Sequence, residues 1–286
     1  MLNAAMASRN NLVRKSAAYL NQIPRQVRRA QAASSSYRDH PPILVNSVPK
    51  SGTHLLLQLG RALPGIKYYG SVCGQRPSVT MRTRSTREIL GLLNKAVPGE
   101  VIAGHVYFDE TVASWLEERS FVHLFIYRDP RDVVLSEAHY LTTMNRLHRL
   151  HRYMKKLPDM EARVAALIEG IPGIYEDIGT RLRYYAGWLD RPEHVLSVRY
   201  EDLAGSEQVQ CVRTMAEWLI GRVPHLKSEN IDALSHRLQK SIAPERSHTF
   251  RSGGSEKWRT QMSEANRQRI EHHAGDVIAK LGYVLQ

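Results

Sequence analysis

Apolar residues along this chain fall into two recurring patterns. Short unbroken runs at Ile43–Val45, Val101–His105, Phe121–Tyr127 and Val195–Tyr200 have the length of buried strands. Behind them the spacing lengthens to that of a helix. Leu55, Leu56, Leu59 and Ala62 follow the first run, a helix opening Val133-Val134-Leu135-Ser136 follows the third, and Val209, Val212, Met215, Trp218 and Leu219 follow the fourth. Strand alternating with helix predicts an α/β fold, a central parallel sheet flanked by crossover helices. Residues 160–190 read as two helices broken at Gly170-Ile-Pro-Gly173, with Leu182, Tyr185, Trp188 and Leu189 forming a core face; Ser263–Lys280 reads as the last helix. Residues 65–100 read as irregular, and Leu141–Lys156 as a continuous, strongly basic helix. A looser stripe of Leu12, Val13, Tyr19, Leu20, Ile23 and Val27 marks a helix near the start, and Ala32–Ser36 resembles a linker. The expected organisation is a basic N-terminal segment over residues 1–38 and one domain over 39–286.

Charge narrows the classes of function. The chain of 286 residues has a formal net charge of +12, which suits a polyanionic nucleotide, an anionic membrane or nucleic acid. No aromatic ribonucleoprotein run, zinc finger or basic heptad is present, so nucleic acid is not expected as a partner. No apolar run is long enough to span a bilayer. The two cysteines, Cys73 and Cys211, make no disulfide framework, which fits a reducing, cytoplasmic setting. Residues 1–38 carry seven Arg or Lys and no acid. They can be a basic segment lying on a membrane surface, a transit peptide, or a solvated tail with a helix packed on the core; the last is slightly favoured.

The chemistry gathers where strands end. Between the first strand and its helix lies Pro49-Lys50-Ser51-Gly52-Thr53-His54. Loop and first-turn N–H groups, the positive end of the helix dipole and one lysine together make a phosphate site. The loop lacks the Walker order, since Lys50 precedes the only glycine. The expected architecture is therefore P-loop-like and nucleotide-binding, but not that of a Walker NTPase. His105 ends the second strand, where open α/β sheets build their sites. A lone histidine there is more often structural. The third strand runs into Arg128-Asp-Pro-Arg-Asp132, and Ser136 follows eight positions after Arg128; the turn can bring a guanidinium and a hydroxyl to one phosphate. Without the first loop this would read as a surface cluster of charges. Arg76, Arg82, Arg84 and Arg87 can hold a negatively charged acceptor or be solvated. His148 and His151 have no carboxylate or thiol partner nearby, so basic surface is preferred over a metal. Phe250–Trp258 is a Gly-rich basic loop with a tryptophan, able to fold over a ligand or simply be anchored by that ring.

Three of these segments, in order and spacing, resemble the PAPS-dependent sulfotransferases, whose donor is 3′-phosphoadenosine 5′-phosphosulfate. Pro49–Thr53 resembles the 5′-phosphosulfate loop, Arg128 to Ser136 the 3′-phosphate site, and Arg251-Ser-Gly253 with Trp258 the C-terminal loop. The resemblance runs from about His40 to the end. It implies that Lys50 contacts the oxygen bridging sulfur and phosphate, and that Ser51, Gly52, Thr53 and the His54 N–H hold the 5′-phosphate. It implies that Arg128, Ser136, Arg251 and Gly253 hold the 3′-phosphate, that Tyr200 lies near the adenine, and that His105 is the base. Sulfuryl transfer from PAPS to an acceptor hydroxyl or amine, on a small molecule, carbohydrate or glycolipid, then needs no metal. Departures are His54 for a stacking Trp, Ala103 for a Lys, Ser252 for a Lys and Glu256 for an Asp; the short dimer motif of the small-molecule cytosolic members is absent. The competing readings are a kinase-like phosphotransferase, which needs a Walker lysine and a magnesium carboxylate, and a catalytically silent PAPS- or anion-binding protein at a membrane, which does not need His105.

Overall fold

The computed structural model describes residues 16–17, 19–243 and 255–285. Five strands, β1 (Ile43–Ser47), β2 (Val72–Gly74), β3 (Val101–His105), β4 (Val122–Tyr127) and β5 (Val195–Arg199), form one sheet in the order β2-β3-β1-β4-β5. Every pairing is parallel. A parallel sheet needs cover on both faces, which is why its strands are apolar runs rather than alternating ones. Along β1, Leu44 packs into one core with Ile102, Phe125, Trp188 and Trp258, while Ile43 and Val45 pack into the other with Leu56, Leu124 and Leu219. The Thr53–Ala62 and Gln208–Arg222 helices cover the second face; the Pro130–His139 and Glu264–Lys280 helices cover the first.

The register places the chemistry. Asn46 pairs with Gly104, so Ser47 lies beside His105. Ser47 pairs with Ile126, and Tyr127 pairs with Arg199. The loops leaving β1, β3, β4 and β5 therefore start level with one another at one end of the sheet, where open α/β sheets bind ligands.

Besides the expected linker Ala32–Ser36, whose last three residues begin a Ser34–Asp39 helix, three elements depart from the expectation. The segment read as irregular contains the edge strand β2 and the Thr86–Leu93 helix, whose capping box joins Ser85 and Glu88. The segment read as one basic helix is a π-turn at Tyr140–Met144, a turn, and a separate helix at His151–Lys156. Thr142 and Thr143 bond back to the carbonyls of Ala138 and His139 at 2.8 and 2.7 Å, competing with the backbone ladder, and Asn145 N–H closes a wider ring on Tyr140 O at 3.0 Å.

The third concerns the N-terminal stripe. Leu12 and Val13 lie outside the described residues. In the Gln22–Gln31 helix the polar side faces the protein: Arg25 forms a 2.9 Å ion pair with the fully buried Glu100, and Arg28 donates to Pro98 O at 2.7 Å. Tyr19, Leu20, Ile23 and Val27 face outward. Glu100 also accepts from Val97 N–H and Ser71 Oγ. Burial pushes its pKa up, against the pull of these partners. Arg25→Met would leave this carboxylate buried and unpaired, at a cost of about 3–5 kcal/mol. Urea unfolding should show that loss, largely restored in Arg25→Met/Glu100→Gln; a loss under about 1 kcal/mol would mean the pair does not anchor the helix.

Candidate active site

The loop after β1 owes its shape to two residues with positive φ, Lys50 at 69° and Gly52 at 100°. At Gly52 a side chain is excluded twice over. Its backbone is left-handed, and a Cβ there would sit 2.6 Å from Tyr200 Cδ2 and 3.2 Å from Ile126 Cδ1. Ser51 N–H closes the turn on Val48 O at 3.2 Å. The Thr53–Ala62 helix then starts from Gly52 with no side-chain cap, so its dipole and first-turn donors face the loop. Ser51 is fully buried, and its Oγ has no hydrogen-bond partner among the described residues. A buried hydroxyl of this kind suits an incoming anion oxygen.

Lys50 Nζ sits 4.0 Å from the centre of the Tyr140 ring. Burial lowers its pKa to about 8; Glu137 opposes the fall and Arg128 adds to it. The lysine is thus a cation at neutral pH, thinly hydrated and close to losing its proton.

His105 is fixed by the neighbouring strand. Its Nδ1 lies 3.0 Å from the Ser47 carbonyl and 3.1 Å from Ser47 Oγ. The carbonyl can only accept, so Nδ1 carries the proton and Nε2 keeps the lone pair. Ser47 Oγ also bonds Thr53 Oγ1 at 2.6 Å. One hydroxyl therefore ties the histidine to the first residue of the helix that follows the β1 loop. Asn46 supports the same corner by bonding both the N–H and the C=O of Val106, at 2.8 and 3.0 Å. Burial lowers the His105 pKa, the Ser47 carbonyl opposes the fall, and Lys50 adds to it. The ring is neutral at pH 7.

Arg128 leaves β4 and pairs with Asp132 one helical turn later at 3.0 Å, and its guanidinium lies 4.4 Å from the Tyr200 ring centre. Asp129 caps this helix by accepting from Arg131 N–H at 2.9 Å, with Pro130 as its first residue. Asp132 also accepts from Trp258 N–H at 3.1 Å. The Trp258 ring is buried against the Arg131 guanidinium at 3.8 Å. Ala243 is clamped by Gln58 through two bonds of 2.8 and 3.0 Å. Arg251 and Gly253 fall between these two anchors and lie outside the described residues.

Lys50, Gly52, Thr53, His54, His105, Arg128, Ser136 and Tyr200 all line one cavity of about 730 Å³; Ser51 sits behind its wall. Sequence patterns missed several residues of this site. Ser47 left one trace, a polar residue inside an apolar run. A second group, Glu137, Tyr175 and Arg181, left none: the Tyr175 hydroxyl donates to Glu137 at 2.5 Å, and Arg181 donates to both at 2.7 Å. Arg76 lines the cavity and is paired with Glu176. Arg82 and Arg87 are not in the wall, and Arg82 is held by Glu88 at 2.5 Å. His148 and His151 each spend Nδ1 on the backbone. Among the described residues no group of three His, Cys, Asp or Glu is arranged for a metal.

The family model described as "Sulfotransferase domain" matches residues 40–282. Among solved structures, mouse sulfotransferase SULT7A1 complexed with PAP is similar at 16% identity and a TM-score of 0.58, covering 86% of this chain and 88% of that one. Retinol dehydratase in complex with androsterone and inactive cofactor PAP is similar at 16% identity and a TM-score of 0.54, covering 85% and 83%. Its complex with retinol and PAP gives 16% identity and 0.53, covering 85% and 84%. These likenesses show a shared fold. No curated protein matches the chain.

The loop geometry makes a separable prediction. Gly52→Ala should destabilise the protein through both strain and clash, by about 1–3 kcal/mol or more. Adding Tyr200→Ala should remove only the clash, so a double-mutant cycle by urea unfolding should show positive coupling. Strict additivity would contradict the contact.

Proposed function

This chain belongs to the sulfotransferase family, whose domain it matches over residues 40–282, and on that premise we propose that it moves a sulfuryl group from PAPS to an acceptor hydroxyl or amine. The observation that supports this most is the shared Ser47 hydroxyl, which holds the base and the phosphate loop in one fixed relation. The donor fits what the residues offer. The orphaned Ser51 Oγ, the uncapped helix and Lys50 suit the 5′-phosphosulfate; Arg128 and Ser136 suit the 3′-phosphate, with Tyr200 beside them; Arg251 and Gly253 would complete that end. PAPS supplies an activated sulfuryl group with adenosine 3′,5′-bisphosphate as leaving group.

The chain's part is to position and to move one proton. His105 Nε2 takes the proton of the acceptor as its oxygen or nitrogen bonds to sulfur. Lys50 and the first-turn N–H groups stabilise the negative charge that grows on the bridging oxygen as its bond to sulfur breaks. A silent binding protein would not need a histidine whose tautomer is fixed this way. A phosphotransferase would need a carboxylate to hold magnesium, and Asp132 is already engaged by Arg128 and Trp258.

The acceptor half of the cavity is lined by Val72, Met81, Tyr107, Leu141, Met144 and Leu182. Its Arg76 and Arg181 each have a glutamate partner, while Arg84, also in the wall, spends a guanidinium N–H on Gly74 O. This favours an acceptor with an apolar body, with Arg84 rather than the whole set of arginines at 76–87 left to meet a negatively charged group. A glycolipid, a hydroxyl head on an apolar body, remains within this class.

Two outcomes follow. His105→Ala should lower kcat about 100-fold or more while adenosine 3′,5′-bisphosphate binding persists; transfer from radiolabelled PAPS measures the first and calorimetry the second. Loss of both together would contradict a base role. With an aliphatic alcohol as acceptor, kcat/KM should be bell-shaped. It should fall as acid protonates His105 below its ordinary range near 6.5, and fall again as Lys50 loses its charge near pH 8. Lys50→Arg should remove the alkaline limb, because a guanidinium stays charged.

A further inference from the structure

One surface at the cavity mouth is not used by the reaction. Residues 140–158 contain no acid. Arg146, Arg149, Arg152, Lys155 and Lys156 are all exposed, and none takes part in an ion pair among the described residues. Between them Met144, Leu147 and Tyr153 are 40%, 67% and 41% exposed. Arg149 joins this segment to the opposite lip: its N–H donates to Ser78 O at 3.0 Å and its guanidinium to Thr80 O at 3.1 Å. That brings in Val79, 64% exposed. Ser78, Met81, Met144 and His148 belong both to this rim and to the cavity wall. The patch is therefore continuous with the acceptor half of the site.

We propose that this rim docks on an anionic lipid bilayer. Unpaired cations suit lipid phosphates and carboxylates, and the exposed Leu147, Val79 and Met144 between them suit the headgroup boundary. An acidic glycan would use the cations but not the apolar side chains. Docking sets the open cavity against the membrane, so an acceptor dissolved in the bilayer enters without crossing water. Only this consequence rests on the sulfotransferase reading; the docking does not. The exposed Tyr19, Ile23 and Val27 form a separate patch, on a helix held at the N-terminal end of β3, away from the mouth.

The test is sedimentation of the full chain with phosphatidylcholine vesicles, with and without about one-third phosphatidylserine. Wild type should bind the anionic vesicles about 10-fold or more tighter than the neutral ones. Leu147→Asp, Leu147→Gln and Arg146→Glu/Arg152→Glu/Lys155→Glu should each lose about 10-fold or more of that binding. Ile23→Asp should bind as wild type. All variants should keep the wild-type melting temperature and the wild-type rate on a water-soluble acceptor, which separates failure of docking from failure of the enzyme. Equal binding to both vesicle types, no vesicle binding, loss that follows Ile23→Asp, or preference for heparin over vesicles would each overturn the proposal.

Discussion

The structure depends on the level register of β3, β1, β4 and β5. Because the strands are parallel and in step, each loop that leaves their C-terminal ends starts beside the next. The chain first builds β1, moves out to β2 and β3 on one side, then crosses to β4 on the other. That reversal opens the crevice in which open α/β sheets hold ligands. Ser47 stands at its edge, bonded sideways to His105 and forward to Thr53. Two loops separated by half a hundred residues are thus fixed by one hydroxyl at a strand end.

Burial then sets the charges. The same low-dielectric corner lowers the pKa of both His105 and Lys50, but from different starting points. The histidine is left neutral and the lysine cationic across neutral pH, so one can accept a proton while the other faces negative charge. The lysine's charge also helps keep the proton off the histidine, which ties the two groups together. Glu137 tempers the lysine and is itself occupied by Tyr175 and Arg181. The residues that hold Glu137 beside Lys50 therefore line the same cavity.

Much of this was legible in the sequence, for a physical reason: buried parallel strands must be apolar runs, and loops that grip phosphate need glycine, small residues and a cation at a strand end. Pro49–Thr53 was visible on those grounds; His105 and Arg128–Ser136 stood out as strand ends, and only the family resemblance gave them roles. What escaped notice was either too short or too distant. β2 is three residues at the sheet edge, with Val72 half in solvent, too brief to show a period. The capping box of Ser85 and Glu88 was present as a signal inside a stretch read as irregular. Glu137, Tyr175 and Arg181 meet across 38 and 44 positions, and no local pattern reports such a contact. The N-terminal helix inverted the expectation because a buried carboxylate, Glu100, draws Arg25 inward and leaves the apolar stripe outside.

The central claim is that the end of this sheet is a site for a nucleotide bearing phosphate at both the 3′ and 5′ positions. Calorimetric titration with adenosine 3′,5′-bisphosphate and with 5′-AMP, on wild type and on Arg128→Ala, tests it most directly. The account predicts that wild type binds the bisphosphate about 10- to 100-fold tighter, the worth of charge-assisted bonds to the extra phosphate, and that Arg128→Ala loses that preference while still binding 5′-AMP. Equal affinity of wild type for the two nucleotides would contradict it.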